Sequence, residues 1–110
     1  MITVIIGADF DIIEKYKDMK TIVIEKNLNT YNSFKIMNDH NITLLNRFIG
    51  NENKVISEND YRVYKQTLQN FIQVQRINED FNLVINVRDK NEILPQLENI
   101  KQIKNVEILK

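Results

Sequence analysis

The residues best equipped for chemistry stand near the start of the chain. Ile2-Thr-Val-Ile-Ile6 runs straight into Gly7-Ala8-Asp9-Phe10-Asp11: an apolar run, a glycine, then two carboxylates one residue apart. Two acids just beyond a strand supply oxygen ligands for a divalent cation, and a cation so held can organise phosphate chemistry. A third acid, Glu25, closes the next apolar run, Thr21-Ile-Val-Ile-Glu25. If the two runs are neighbouring parallel strands, their carboxyl ends share one sheet edge, where α/β proteins keep their ligands. Asp9, Asp11 and Glu25 are therefore the candidate metal ligands, with Mg²⁺ as the cofactor. The same residues also have a structural reading, in which Asp9 caps the following helix and Asp11 favours its dipole. The structural reading carries more weight, because no lysine, cysteine, histidine or second motif joins the acids.

The order of strand, Asp9, one residue, Asp11 and apolar residues resembles the first motif of haloacid-dehalogenase-type phosphohydrolases. The resemblance implies a metal-dependent phosphohydrolase and is confined to this segment. Thr21 begins its strand where that family needs a Ser or Thr at a strand end, and Glu79-Asp80 precedes a strand instead of following one. Nucleotide-binding loops fit no better. A phosphate-binding loop needs a second glycine followed by Lys and Ser or Thr, and the dinucleotide fingerprint needs three glycines. Gly7 stands alone and is followed by aspartates.

Other residue types narrow the field. There is no cysteine, which removes disulfides, thiolate nucleophiles and cysteine–zinc sites. The single histidine, His40, lies in the polar stretch Asp39-His40-Asn41 and reads as a loop or cap residue; the nearby hydroxyls are few, Ser33 and Ser57. Fifteen basic and fifteen acidic residues cancel, so no overall field holds a phosphate backbone or an anionic membrane. A local basic face remains a candidate. Arg62, Lys65 and Arg76, among several glutamines, would line one side of a helix able to lie in a DNA groove. Glu58, Asp60 and Glu79 offset these cations, which favours a solvated face.

The elements that position these residues follow from periodicity. Ile2–Ile6 and Thr21–Glu25 read as buried strands, with a short helix over Asp9–Asp18 between them. Over Asn27–Asn53, Tyr31, Phe34 and Met37, then Ile42, Leu45, Phe48 and Ile49, suggest two short helices broken near Asp39–Asn41, the second capped at Gly50. A longer helix is expected from Ser57, with Asp60 completing a near capping box, to Asn78; Tyr61, Tyr64, Leu68, Phe71 and Ile72 form its buried stripe. Phe81–Arg88 alternates as a strand, either at a sheet edge or with only one face well covered. A final helix capped by Asp89 or Asn91 carries Pro95 in its first turn, and Asn105–Leu109 is the last strand.

The expected fold is thus one small α/β domain spanning residues 1–110. Its order is β-α-β, a helical middle, then β-α-β, with a mostly parallel sheet of about four strands. No run of about 18 apolar residues is present, which predicts no membrane span and a cytoplasmic chain. Abundant Asn, Ile and Lys, whose codons are A/T-rich, fit an A/T-rich bacterial, phage or plasmid source. Together these features favour a non-enzymatic interaction module: an accessory or inhibitor protein of a phage, plasmid or similar mobile element that binds a protein partner. No cofactor is expected on that reading, and a strand edge would allow a homo-oligomer. The alternatives are a Mg²⁺-dependent phosphohydrolase or nuclease using Asp9 and Asp11, and a nucleic-acid-binding regulator.

Overall fold

The computed structural model describes residues 1–16, 18–35, 41–58 and 61–109. In chain order its first elements are β1 (Ile2–Ile6), α1 (Phe10–Tyr16), β2 (Thr21–Ile24), α2 (Leu28–Phe34), β3 (Ile42–Leu45) and β4 (Phe48–Ile49). There follow β5 (Lys54–Glu58), β6 (Tyr61–Gln66), α3 (Leu68–Val74), β7 (Phe81–Asn86), α4 (Lys90–Ile93) and β8 (Ile103–Leu109). A 3-10 turn, Val87–Asp89, leads into α4, and a 3-10 segment, Leu94–Asn99, follows it.

Every residue of β1 is β-branched, a composition that suits a pleated, packed surface and loses little rotamer freedom on burial. All five are buried. β1 occupies the centre of a parallel sheet in the order β3-β2-β1-β7-β8. From β1 the chain winds outward through β2 and β3, then returns to the other flank of β1 for β7 and β8. Right-handed crossovers in opposite directions place helices on opposite faces, and the packing follows that rule. One face buries Ile2, Val4, Ile6, Ile22, Ile24, Leu83 and Ile85 against Leu68, Phe71, Ile72 and Ile93 of α3 and α4. The other buries Ile5, Val23 and Val84 against Ile13 of α1, with Phe34 of α2 packed beside them. Each fully buried Leu, Ile or Phe contributes roughly 1.5–3 kcal/mol.

The chain is therefore a small α/β domain with a parallel sheet, as the apolar runs predict, but the sheet has five strands instead of about four. The middle differs more. Ile42–Leu45 is β3, paired with β2 in parallel register, and not part of a helix. Gly50 caps no helix, and only Gly7 among the glycines has positive φ. Gly50 is small because the stem of Lys65 crosses it. The helix expected over Ser57–Asn78 begins only at Leu68. Its first part is the antiparallel hairpin β5–β6, which forms a second, three-stranded sheet in the order β4-β6-β5. Val55, Ile56, Val63 and Tyr64 have strand-forming side chains, and Tyr61 and Tyr64 are strand residues that also fit the three-four spacing with Leu68. The helix start is instead Thr67, whose hydroxyl accepts from the Asn70 N–H at 3.2 Å. Asp60 of the expected capping box, His40 and the break at 39–40 lie outside the described residues.

The C-terminal part shows two further corrections. Phe81–Asn86 is not an edge strand, since it lies between β1 and β8. The last helix is cut short: α4 yields to the 3-10 segment at Leu94, with Pro95 in that segment's first turn. Proline has no N–H with which to continue the α ladder. No helix among the described residues is long and apolar enough to cross a membrane.

Two local contacts generate predictions. α3 ends in a Schellman arrangement, with Arg76 N–H donating to Gln73 and Ile77 N–H to Ile72, and Arg76 held at φ 54°. That conformation costs a non-glycine residue about 1 kcal/mol, so Arg76→Gly should raise the unfolding free energy, read from a urea titration, by up to that amount. The Tyr16 hydroxyl ties α1 to β8 by donating to Glu107 Oε2 at 2.8 Å. That hydrogen bond is the chief reason its pKa is raised, with burial adding to it. A proton held more tightly in the folded state is lost first from the unfolded one. Stability should therefore fall as pH rises beyond the unfolded tyrosine value of about 10. Tyr16→Phe should remove that part of the alkaline loss, read from unfolding midpoints across the alkaline range.

Candidate functional site

The carboxyl ends of β1, β2 and β7 meet at the point where the chain switches winding direction, the usual ligand position of an open α/β sheet. Register Ile6↔Ile24 and Ile6↔Ile85 brings Gly7, Glu25 and Asn86–Asp89 to this edge. Gly7 takes φ +93°, which other residues rarely adopt, and a Cβ there would lie 2.6 Å from both Asn86 Cβ and Asp89 Oδ2. The close approach of β7 thus depends on a glycine after β1.

Glu25 is 1% exposed, an unusual place for a carboxylate, and it is fully engaged. Its Oε1 accepts from the Ala8 N–H at 2.9 Å and from Arg88 Nη2 at 2.7 Å, and its Oε2 accepts from the Asn27 N–H at 2.8 Å. Asn46 Nδ2 donates to the Glu25 carbonyl at 2.8 Å, which fixes the turn after β2. Ala8 lies in the first turn after the first strand, where nucleotide-binding α/β proteins bind phosphate through backbone N–H groups. Here the chain's own carboxylate takes that N–H.

Around this core the charges alternate. Lys26 Nζ is 3.2 Å from Asp89 Oδ1, and Arg88 Nε is 3.5 Å from Asp89 Oδ2. Lys65 is buried and donates to Glu92 Oε1 at 2.8 Å. The Lys26 and Lys65 ammonium groups both lie over the Phe48 ring, 4.8 and 4.9 Å from its centroid. Lys26, Phe48, Arg88, Asp89, Asn91 and Glu92 line a cleft of about 260 Å³. Asp89 occupies the N-cap position of α4 without a capping bond. Its carboxylate turns instead to the sheet edge, where Oδ2 is buried with no hydrogen bond among the described residues, the Arg88 Nε standing 3.5 Å away.

Of the sequence-derived metal candidates, Glu25 is in this cluster. Asp9 caps α1, its Oδ1 accepting from the Ile12 N–H at 3.2 Å, and Asp11 is exposed on the first turn of that helix. No group of three or more His, Cys, Asp or Glu side chains among the described residues is arranged to hold a metal ion. The three cations assigned to one helix face are dispersed. Arg62 and Lys65 belong to β6, pointing to opposite sides of it, and Arg76 ends α3. The sequence reading missed Lys26, Arg88, Asp89 and Phe48. The available signal was opposite charge at strand ends: Glu25 closes one apolar run and Arg88 another.

Glu25→Ala should leave Ala8 N–H, Asn27 N–H and the Arg88 guanidinium without their acceptor, lowering unfolding free energy by about 3 kcal/mol. Glu25→Gln, which keeps an acceptor oxygen, should lose clearly less in the same urea titration. Comparison of the chain with protein-family models, curated proteins and solved structures gave no match.

Proposed function

We propose that this protein is a non-enzymatic interaction module that docks a protein partner, serving as a cytoplasmic accessory or inhibitor protein of a phage, plasmid or similar mobile element. The observation that carries the reading is the occupation of the switch-point turn by Glu25. The N–H that would receive an anionic ligand already donates to an internal carboxylate, itself held by Arg88. The doubly covered sheet then acts as scaffold, and binding falls to the surfaces that the scaffold displays.

The outer face of the small sheet is the best-suited surface. Pairing sets Val55 opposite Tyr64 and Ser57 opposite Arg62. Val63 and Lys65, the alternate residues of β6, are buried, while Val55 and Tyr64 are 55% and 40% exposed. The Arg47 guanidinium lies 5.5 Å from the centroid of the Tyr64 ring. Tyrosine and arginine beside an apolar residue are the types that anchor protein interfaces. Self-association through a strand edge belongs to the same reading.

Immobilised wild-type chain should retain a specific protein partner, and Tyr64→Ala should weaken that retention about thirtyfold, as for an interface anchor. Asp9→Asn/Asp11→Asn should leave it unchanged. Thermal stabilisation of the wild type by Mg²⁺ or Mn²⁺, abolished in the Asp9→Asn/Asp11→Asn variant, would overturn the reading in favour of a metal-dependent phosphohydrolase.

A further inference from the structure

We infer that β5 is a self-association edge, at which two copies of the chain pair antiparallel about a two-fold axis through Ile56. The inference deepens the interaction-module reading by naming one partner and one edge. It starts from the row of backbone donors and acceptors that any unpaired edge presents to a further strand. Short strands and bulges blunt such edges. β3 has four residues and β4 two. β8 is longer; its pairing with β7 shifts register once, at its first pair between Phe81 and Asn82, and then runs unbroken from Asn105 to Leu109, so its sequence decides against it below. β5 has neither protection. It runs five residues in unbroken register with β6, without proline, and exposes Val55.

The sequence of β5 is also self-complementary. A two-fold axis through Ile56 sets Ile56 opposite itself, Val55 opposite Ser57, and Lys54 opposite Glu58 of the second copy, twice over. Directly opposed residues in an antiparallel pair share a face, and alternate positions along a strand are the ones that do. Opposite charges in that position favour pairing. The neighbouring axes do worse, since centring on Val55 sets Lys54 against Ile56, and centring on Ser57 sets Glu58 against Ile56. On β8, an axis through Glu107 opposes that acid to itself, and one through Val106 sets Lys104 against Ile108. In the single chain Lys54 is 2.7 Å from Glu52, a pair about half exposed on both sides and therefore easily exchanged. Five residues a side bury less than the ~1,000 Å² of a stable interface, so the dimer depends on concentration.

Sedimentation equilibrium of the intact chain from micromolar to millimolar concentration should show a monomer–dimer equilibrium. Lys54→Glu and Glu58→Lys should each weaken it about tenfold by opposing like charges twice, and the combined swap should restore it. Ile56→Cys, in a chain with no native cysteine, should form a disulfide-linked dimer on mild oxidation, and Val106→Cys on β8 should not. A chain monomeric at every concentration, charge swaps that fail to compensate, or cross-linking through Val106→Cys would each overturn the inference. None of those results would alter the dependence of partner retention on Tyr64, which tests the broader reading separately.

Discussion

A parallel strand in the middle of a sheet has no face toward water, and this constraint organises the molecule. β1 is hydrogen-bonded on both edges and covered on both faces, so four of its five positions are apolar, and the fifth, Thr3, is fully buried with its hydroxyl unpartnered among the described residues. Covering both faces requires helices on both sides, hence a chain that winds out through α1 and α2 and back through α3 and α4. The switch in winding direction then falls beside β1. Everything of chemical interest gathers at that point because the topology leaves the strand ends together there.

At such a switch point an open α/β sheet usually has a crevice for a ligand. Here Gly7 lets Asn86 and Asp89 come close, and Glu25 reaches across from β2 to the Ala8 N–H while Arg88 reaches back from the end of β7. The resulting network joins three consecutive strands of the sheet at their carboxyl ends. At its centre is a buried carboxylate that accepts two backbone N–H groups and the Arg88 guanidinium, and so ties these strand ends together. The small sheet β4-β6-β5 adjoins this edge through Phe48, which lines the cleft together with Lys26 and Arg88.

That small sheet is the region least legible in the sequence. Tyr61, Tyr64, Leu68, Phe71 and Ile72 match helical spacing, yet the first two belong to a strand and the last three to a helix. A periodicity test cannot distinguish one long stripe from two elements whose apolar residues align by chance. Thr67, able to cap a helix that starts at Leu68, marks the true boundary. Lys65 is misjudged for a related reason. A lysine between Tyr64 and Gln66 looks like solvated surface, and its burial is compensated by groups brought from elsewhere in the chain, the Glu92 and Glu52 carboxylates and the Phe48 ring.

By itself the sequence determined the class of fold and its seed: the β-branched apolar runs at Ile2–Ile6 and Thr21–Ile24 read as strands buried on both faces, and the alternation from Phe81 marks a third strand without showing that it is buried on both. It also determined which chemistry is missing, since absent cysteine and a single histidine follow from composition alone. The tertiary structure decided strand order, the hairpin in place of a helix, and the fate of each charge. Glu25, Lys26, Arg88 and Asp89 come from two distant stretches of the chain, and which carboxylate meets which cation is set by parallel register across three strands. Such pairing carries no local pattern that a one-dimensional reading could detect.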